Sequence, residues 1–551
     1  MAKNILFIMC DQLRADYLSC YGHPFLETPN IDSLAERGVR FANAYCQAPL
    51  CGPSRASFYT GRYMSSHGSL ANGDPLKLGE LSLGDYLNDL NYRTVLVGKS
   101  EARSNQDALA RLQIDQRSKL GQRLAQGGFE NFEHFAGLYP NEILPEDLGY
   151  NDYLRSKGYD GENPWESWAN SAIDRDGKKV SGWKMRNANL PAAVSEEHSE
   201  TAFTTDRALE FLSGVDANDQ WCLHLSYIKP HWPYLVPAPY HALYSKDQIL
   251  PAVRNPDELQ SPHPVFQAFH EQTYSQNFSR EEVRERVIPA YMGLIKQVDD
   301  HLGRVFEMLK SKNLMDSTLI VFTADHGDYL GDHWLGEKDL FHEPSVRIPM
   351  IVCDPEISAE ETRGTVNHEF VEAVDIVPTM VEFAGEETRG TVNHEFVEAV
   401  DIVPTMVEFT GGKICKQRME GQSLLHLTRG TADPGKKREY TISQIDFSDR
   451  GPRVSLNLHP YDCRAHMIRN KNWKYILHEK FRSQLFDLKN DPEEFHDLGD
   501  DPEYSSVRLE MHEQLFIWFR KRLIRTEMEH DFLFEMGVGQ DEMLGILIGH
   551  W

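Results

Sequence analysis

The chain is short of positive charge. Its 551 residues carry 57 Lys and Arg against 84 Asp and Glu, a net charge of −27 with histidine neutral. A surface of that sign disfavours nucleic acid and anionic membrane as partners. Screening over roughly 8–10 Å softens the repulsion of a small anion, so a site for an anionic substrate must gather its own Lys, Arg, His or metal. Long apolar runs are missing as well. The opening Ile5-Leu6-Phe7-Ile8-Met9-Cys10 is too short to cross a bilayer and has no small-residue cleavage site after it. It reads as a buried strand, with no secretory signal and no membrane anchor expected. Cysteine is sparse and irregular: eight residues, at positions 10, 20, 46, 51, 222, 353, 415 and 463. That scatter builds neither a disulfide framework nor a zinc cluster, and a reducing cytoplasm is the expected compartment.

What is present is ordinary globular material, 40% hydrophobic and 26% charged, enough for a large core. Short apolar β-rich runs alternate with amphipathic stretches, which predicts an α/β sheet. Asn4–Cys10, Thr94–Val97, Trp221–Tyr227, Thr318–Thr323 and Ile348–Cys353 read as strands covered on both faces. Arg280–Lys312 is the longest helical pattern, with a break expected near Pro289. Glu142–Leu190 reads as an irregular insertion carrying Trp165, Trp168 and Trp183, whose rings either touch substrate or pin the loop to the body. From about residue 436 the character changes to successive antiparallel strands, Tyr440–Phe447, His466–Asn470 and Trp473–His478, followed by a helix over Glu503–Leu523. The organisation expected is a catalytic unit over 1–435, a smaller α+β unit over 436–527 and an apolar tail over 528–551. The tail is read as an arm for homo-oligomer assembly, the alternative being that it packs on its own subunit. Glu360–Phe383 recurs identically as Glu386–Phe409. Two identical copies indicate a tandem duplication rather than a solenoid, so one copy is expected in the structural position and the other as a surface insertion.

Three features carry chemistry. Cys51-Gly52-Pro53-Ser54-Arg55 leads into Thr60-Gly61-Arg62, and Cys51 is either a small buried thiol or a nucleophile. Asp11-Gln12 follows one buried strand, and Asp325-His326-Gly327 follows another. Lys99 and Pro230-His231 also lie at or just beyond strand ends, where α/β sheets gather ligands. Singly, Asp11 could be a helix N-cap and His326 a hydrogen-bonded structural histidine. Jointly, hard oxygen donors with one imidazole suit Ca²⁺, Mn²⁺ or Mg²⁺ better than a thiolate-seeking metal.

The Cys-x-Pro-Ser-Arg block, Asp11-Gln12, Pro230-His231, the Asp325–His333 segment, Lys338 and Asp491-Pro492-Glu493 occur in one order along nearly the whole chain. In that order they resemble the type I, formylglycine-dependent sulfatases of the alkaline phosphatase superfamily, and they are similar to the related phosphonate monoester hydrolases. The resemblance implies a central mixed sheet flanked by helices, with a smaller C-terminal antiparallel sheet. It implies that a maturation enzyme oxidises Cys51 to formylglycine, whose hydrate is the nucleophile. One divalent ion, Ca²⁺ or Mn²⁺, is implied on Asp11, Gln12, Asp325, His326 and residue 51. Arg55, Lys99, His231 and Lys338 are implied as groups that hold the anion and stabilise the leaving oxygen, and Asn72 as a donor to a non-bridging oxygen. The expected reaction is hydrolysis of sulfate monoesters, aryl or small organic ones, with phosphonate monoester or phosphodiester hydrolysis as the alternative. Gly98-Lys99-Ser100-Glu101 departs from the sulfatase Gly-Lys-x-His pattern, because Glu101 stands where histidine is expected. That departure bears on the substrate class more than on the nucleophile.

Overall fold

The structure is a computed structural model and describes residues 4–101, 105–135, 139–141, 144–145, 148–216, 218–372, 418–421, 423–429 and 438–522. In chain order its strands are β1 Asn4–Asp11, β2 Val39–Tyr45, β3 Arg93–Lys99, β4 Glu130–Phe135, β5 Ser171–Ile173, β6 Lys179–Ser181, β7 Trp221–Pro230, β8 Thr318–Ala324, β9 Arg347–Cys353 and β10 Thr365–Glu372. Four more follow near the C-terminus: β11 Thr441–Asp446, β12 Arg464–Arg469, β13 Trp473–His478 and β14 Gln484–Asp487. Eight of them form one sheet in the order β10-β2-β9-β8-β1-β7-β3-β4. All its pairings are parallel except the two made by β9. The five strands read from the sequence are all present, extended by one to three residues. Every residue of β1, β7 and β8 is buried, as the unbroken apolar runs require of strands covered on both faces.

The sheet is covered by helices, above all Glu281–Ser311, which is continuous through Pro289. The expected break there does not occur. Val287, Ile288, Pro289, Ala290 and Tyr291 are all buried and run right round the helix, so packing on every side holds it through the missing amide. The insertion over 142–190 is more ordered than expected: it holds a helix, Gly149–Ser156, and the β5–β6 hairpin. Trp165 is fully buried against Phe135, Tyr139 and Tyr150 and pins the insertion to the body.

Strands β11 to β14 form a four-stranded antiparallel sheet, and a helix follows over Ser505–Arg520. Ile445, Phe447, Met467 and Phe486 from this sheet join the core of the large one, so a single apolar interior runs through both. The opposite face packs Ile442, Ile468 and Leu485 with Met511, Leu515 and Trp518, together with Tyr63 from the first unit. Of the duplicated segment, the start of the first copy supplies β10, which extends the large sheet beside β2. The rest of that copy, the whole second copy and the tail over 528–551 lie outside the described residues. Among the described residues, no helix is long and apolar enough to cross a membrane.

Candidate active site

Strands β8, β1, β7 and β3 are consecutive and parallel, so their carboxyl ends open on one edge of the sheet. Asp325 and His326 follow β8, Asp11 and Gln12 end β1, His231 follows β7, and Lys99 ends β3. The end of β1 is locally irregular. Its register with β7 shifts between Cys10 and Asp11, and Gln12 has φ 64°, in the left-handed region. A register break followed by a left-handed residue turns consecutive side chains towards one pocket, at a conformational cost of about 1–3 kcal/mol. Gly98, just before Lys99, has φ 109°, and a Cβ there would lie 1.9 Å from the Ser226 carbonyl oxygen. Only glycine permits that approach of β3 to β7.

Cys51 is the first residue of the helix Cys51–Thr60, all ten residues of which are buried. Burial of Ser54 and Arg55 is tolerated because each is bonded: Ser54 Oγ donates to the Asp325 carbonyl (2.6 Å) and Arg55 Nε to Asp325 Oδ2 (2.8 Å). Arg55 Nη1 also donates to the Lys99 carbonyl (2.9 Å) and Ser226 Oγ (2.8 Å), and Nη2 stands 3.4 Å from Asp11 Oδ2. Cys51 Sγ lies 3.2 Å from His326 Nε2 and 3.7 Å from Asp11 Oδ1. Ligand atoms of Asp11, Cys51, Asp325 and His326 all fall within 4.8 Å of one another. Two carboxylates and one imidazole converging in a buried position fit a hard divalent cation. His326 Nδ1 donates to the Gly327 carbonyl (2.9 Å), which leaves Nε2 as the atom facing Cys51.

Cations ring this cluster. Lys99 Nζ is 2.5 Å from Asp11 Oδ2 and 3.2 Å from Glu101 Oε1. Burial acts to raise the Asp11 pKa, but the charges of Lys99 and Arg55 outweigh it and hold the carboxyl well below its usual range. Burial likewise opposes the Lys99 charge, yet Asp11 and Cys51 hold its pKa well above normal. For His326, burial is outweighed by Asp325 and Cys51, and the pKa rises to about 9. Lys338 Nζ donates to Gln12 Oε1 (2.8 Å) and to His231 Nε2 (3.3 Å). His231 Nδ1 donates to the Trp232 carbonyl (2.7 Å). Burial, with Lys338 beside it, pushes the His231 pKa well below normal, so this imidazole is neutral with its Nε2 lone pair towards Lys338. Lys338 sits between two left-handed residues, Glu337 (φ 62°) and Asp339 (φ 90°), and the Asp339 amide donates to the Pro49 carbonyl (3.2 Å). That bond ties the lysine's turn to the chain just ahead of Cys51.

The structure therefore gathers Asp11, Cys51, Arg55, Lys99, Asp325 and His326 in direct contact, with Gln12, His231 and Lys338 as a connected second group. Gln12 bonds Asp325 Oδ1 through its backbone amide (3.0 Å), while its side-chain oxygen faces Lys338. Asn72 lies against the helix start, its Oδ1 accepting from the Gly52 amide (2.7 Å). Three partners escaped the sequence reading. Asp328 Oδ2 accepts from Gln12 Nε2 (2.5 Å) and from the Tyr234 hydroxyl (2.6 Å), locking Gln12 in place. Ser226 orients Arg55. Arg450, paired with Asp339 Oδ1 at 3.2 Å, brings a charge of the C-terminal unit within electrostatic reach of Cys51. Asp328 lies in the Asp325-His326-Gly327-Asp328 string and could have been picked out there, but nothing near Ser226 or Arg450 marks them.

The eight-stranded mixed sheet flanked by helices, with a buried cysteine, paired carboxylates and a cationic rim at its carboxyl edge, is the arrangement of an alkaline-phosphatase-like hydrolase. The chain belongs to the sulfatase family of that superfamily: the family model described as Sulfatase matches residues 3–386, and that described as N-sulphoglucosamine sulphohydrolase, C-terminal, matches residues 377–521. It is 31% identical over 547 residues to the multifunctional alkaline phosphatase superfamily protein PehA of Trinickia caryophylli, covering 95% of this chain and 96% of that one. It is 25% identical to an arylsulfatase of Clostridium perfringens, with 92% of each chain covered. Among solved structures it resembles the phosphonate monoester hydrolase SpPMH of Silicibacter pomeroyi, with a TM-score of 0.78, 26% identity and 96% of each chain covered.

Proposed function

We propose that this sulfuric ester hydrolase cleaves sulfate monoesters of small aryl-type alcohols, using residue 51 as a hydrated formylglycine. The observation that carries the reading is the convergence of Cys51, Asp11, Asp325 and His326 at a helix N-terminus inside a ring of Arg55, Lys99 and Lys338. Asp11, Asp325, His326 and residue 51, with Gln12 beside them, would hold one divalent ion, Ca²⁺ or Mn²⁺ by the hardness of the donors. Such an ion supplies charge neutralisation and a lower pKa at the nucleophile.

The remaining chemistry belongs to the chain's own side chains. One hydroxyl of the diol, ionised by loss of its proton to water, attacks sulfur, and the bond from sulfur to the ester oxygen breaks with its electron pair going to that oxygen. Lys338, the protonated donor of the Lys338–His231 pair, faces the departing oxygen and neutralises it. Arg55 and Lys99 fix the carboxylates and set the field in which the anion sits. The second hydroxyl then loses its proton, the C–O bond to the sulfate breaks, and the aldehyde re-forms. Glu101, joined to the cluster through Lys99, stands where the sulfatase histidine is expected and is the base we assign to this step. The same reading takes the protein as cytoplasmic, matured by a formylglycine-generating enzyme and assembled as a homo-oligomer.

Hydrolysis of phosphonate monoesters is the second reading. It is supported by the likeness to SpPMH and by Glu101 at the histidine position. Mass analysis of the peptide around Cys51, together with kcat/KM for matched aryl sulfate and aryl phosphonate esters, tests both. An aldehyde at residue 51 and a preference for the sulfate support the first reading. An intact thiol in fully active enzyme would overturn the mechanism, and a preference for the phosphonate would replace the substrate class.

A further inference from the structure

Beside the site, the surface has a groove of about 730 Å³ whose lining includes Trp183, Lys184, Met185, Arg186, Tyr274 and Arg286. It adjoins the reacting groups through one run of rings. Lys338 Nζ meets His231 at 3.3 Å, the His231 and Trp232 rings are 4.4 Å apart, and Trp232 meets Trp183 at 5.7 Å. Trp183 is fixed there by its Nε1, which donates to both oxygens of Glu166 at 2.9 Å. On the other side, the Tyr274 carbonyl packs on Gly336, two residues before Lys338.

The charge of this groove opposes that of the molecule. In a chain of net charge −27, it collects Lys184, Arg186, Arg280 and Arg286 against Glu282 alone. Glu282 pairs with Arg280 at 3.3 Å. Among the described residues, no carboxylate forms an ion pair with Lys184, Arg186 or Arg286. Arg286 donates to the Arg186 carbonyl (3.3 Å), which keeps the two side chains on one wall. Exposed cations without carboxylate partners, sharing a groove with Trp183 and Tyr274, suit a ligand with a flat apolar part and a separate negative charge.

We propose that this groove is the subsite for the departing alcohol, and that it selects alcohols bearing an aromatic ring and a second anionic group, such as a carboxylate. The assignment rests on the hydrolase reading above and sharpens it. The ring lies between Trp183 and Tyr274, its oxygen is directed to Lys338 and His231, and its carboxylate meets Arg186, Arg286 and Lys184.

The test pairs 4-carboxyphenyl sulfate with the neutral, similarly shaped 4-carbamoylphenyl sulfate, and repeats the pair as phenylphosphonate esters. Wild-type enzyme should favour the carboxylate by about tenfold in kcat/KM, the size expected of a charge-assisted contact. The variant R186Q/R286Q should bring the ratio close to one while leaving turnover of the carbamoyl ester unchanged. Calorimetry of the released alcohols, 4-hydroxybenzoate against 4-hydroxybenzamide, provides a readout independent of turnover. Tighter binding of the benzoate by wild type, lost in the variant, supports the subsite. Equal kcat/KM for the two esters, equal binding of the two alcohols, or a preference that survives the double substitution overturns it. If neither ester class turns over, the hydrolase reading fails, and the calorimetric preference alone decides the subsite.

Discussion

Arg55 shows how much depends on single side chains here. A fully buried guanidinium is expensive unless every donor is used, and this one bonds two carboxylates, a carbonyl and a hydroxyl. Cys51, at 1% exposure, is as deeply placed, so the proposed conversion to an aldehyde would belong before the fold closes over it. A serine there would attack once and remain as a stable ester, since it has no second hydroxyl to collapse. Cys51→Ser is therefore expected to lower turnover by at least about a thousandfold and to accumulate a covalent adduct visible by intact mass. Normal steady-state turnover by this variant would sink the mechanism. Lys338→Gln removes the charge proposed to face the departing oxygen. It should cost about 10²–10⁴ in kcat for esters of weakly acidic phenols and much less for esters of strongly acidic ones. A uniform loss across the series would assign Lys338 to binding instead.

At the scale of elements, the site is fixed by where strands end and by what the next turn does. The register shift at Asp11, the close approach at Gly98 and the pair of left-handed residues around Lys338 are the points where the backbone departs from its preferred states to aim a side chain. The C-terminal unit also acts at this scale. Trp518, on the helix Ser505–Arg520, packs edge-on to Tyr63 at 4.8 Å, just beyond the helix that begins with Cys51. Arg522 covers the same indole at 4.0 Å. Trp518→Ala should lower unfolding free energy by about 3–5 kcal/mol, measured by denaturant titration, with kcat of the folded fraction nearly unchanged. A loss below about 1 kcal/mol would show that the C-terminal helix is dispensable to the fold.

The whole molecule has an acid-sensitive interior. Burial holds His23, His134 and His263 at about 4 and His67, His224 and His478 at about 3. Each must take up a proton on unfolding below its ordinary value near 6.5, so stability is lost as the pH falls from there to the folded values. Glu200, raised to about 7, and Asp299, raised to about 6, act in the opposite direction, because both bind protons more readily folded than unfolded. His231 and His342, held well below normal by burial, add to the six imidazoles. His326, raised to about 9, and Glu133, Asp328, Glu337, Asp354 and Glu494, all raised by burial, act with Glu200 and Asp299. Each proton counts for roughly 1.4 kcal/mol per pH unit. The denaturation midpoint reads the balance of the two sets, and dominance of the imidazoles places it lower at pH 5 than at pH 7. An unchanged or higher midpoint at pH 5 would mean that the raised carboxylates and His326 offset the imidazoles, or that these imidazoles are already charged in the fold.

The alternation of apolar runs with amphipathic stretches determined the α/β class and its strands, because a strand covered on both faces must be continuously apolar. The residues that cluster, Cys51, Asp11, Asp325 and His326, were likewise picked out as candidates, because strand ends and a Cys-x-Pro-Ser-Arg block are local patterns. Tertiary structure alone decided that Pro289 leaves its helix unbroken, that Ser226 and Asp328 hold Arg55 and Gln12, and that Arg450 stands near Cys51. It also decided that a cationic groove adjoins the site in an acidic protein. These depend on contacts between residues far apart in the chain, and no local spacing records which strand lies beside which.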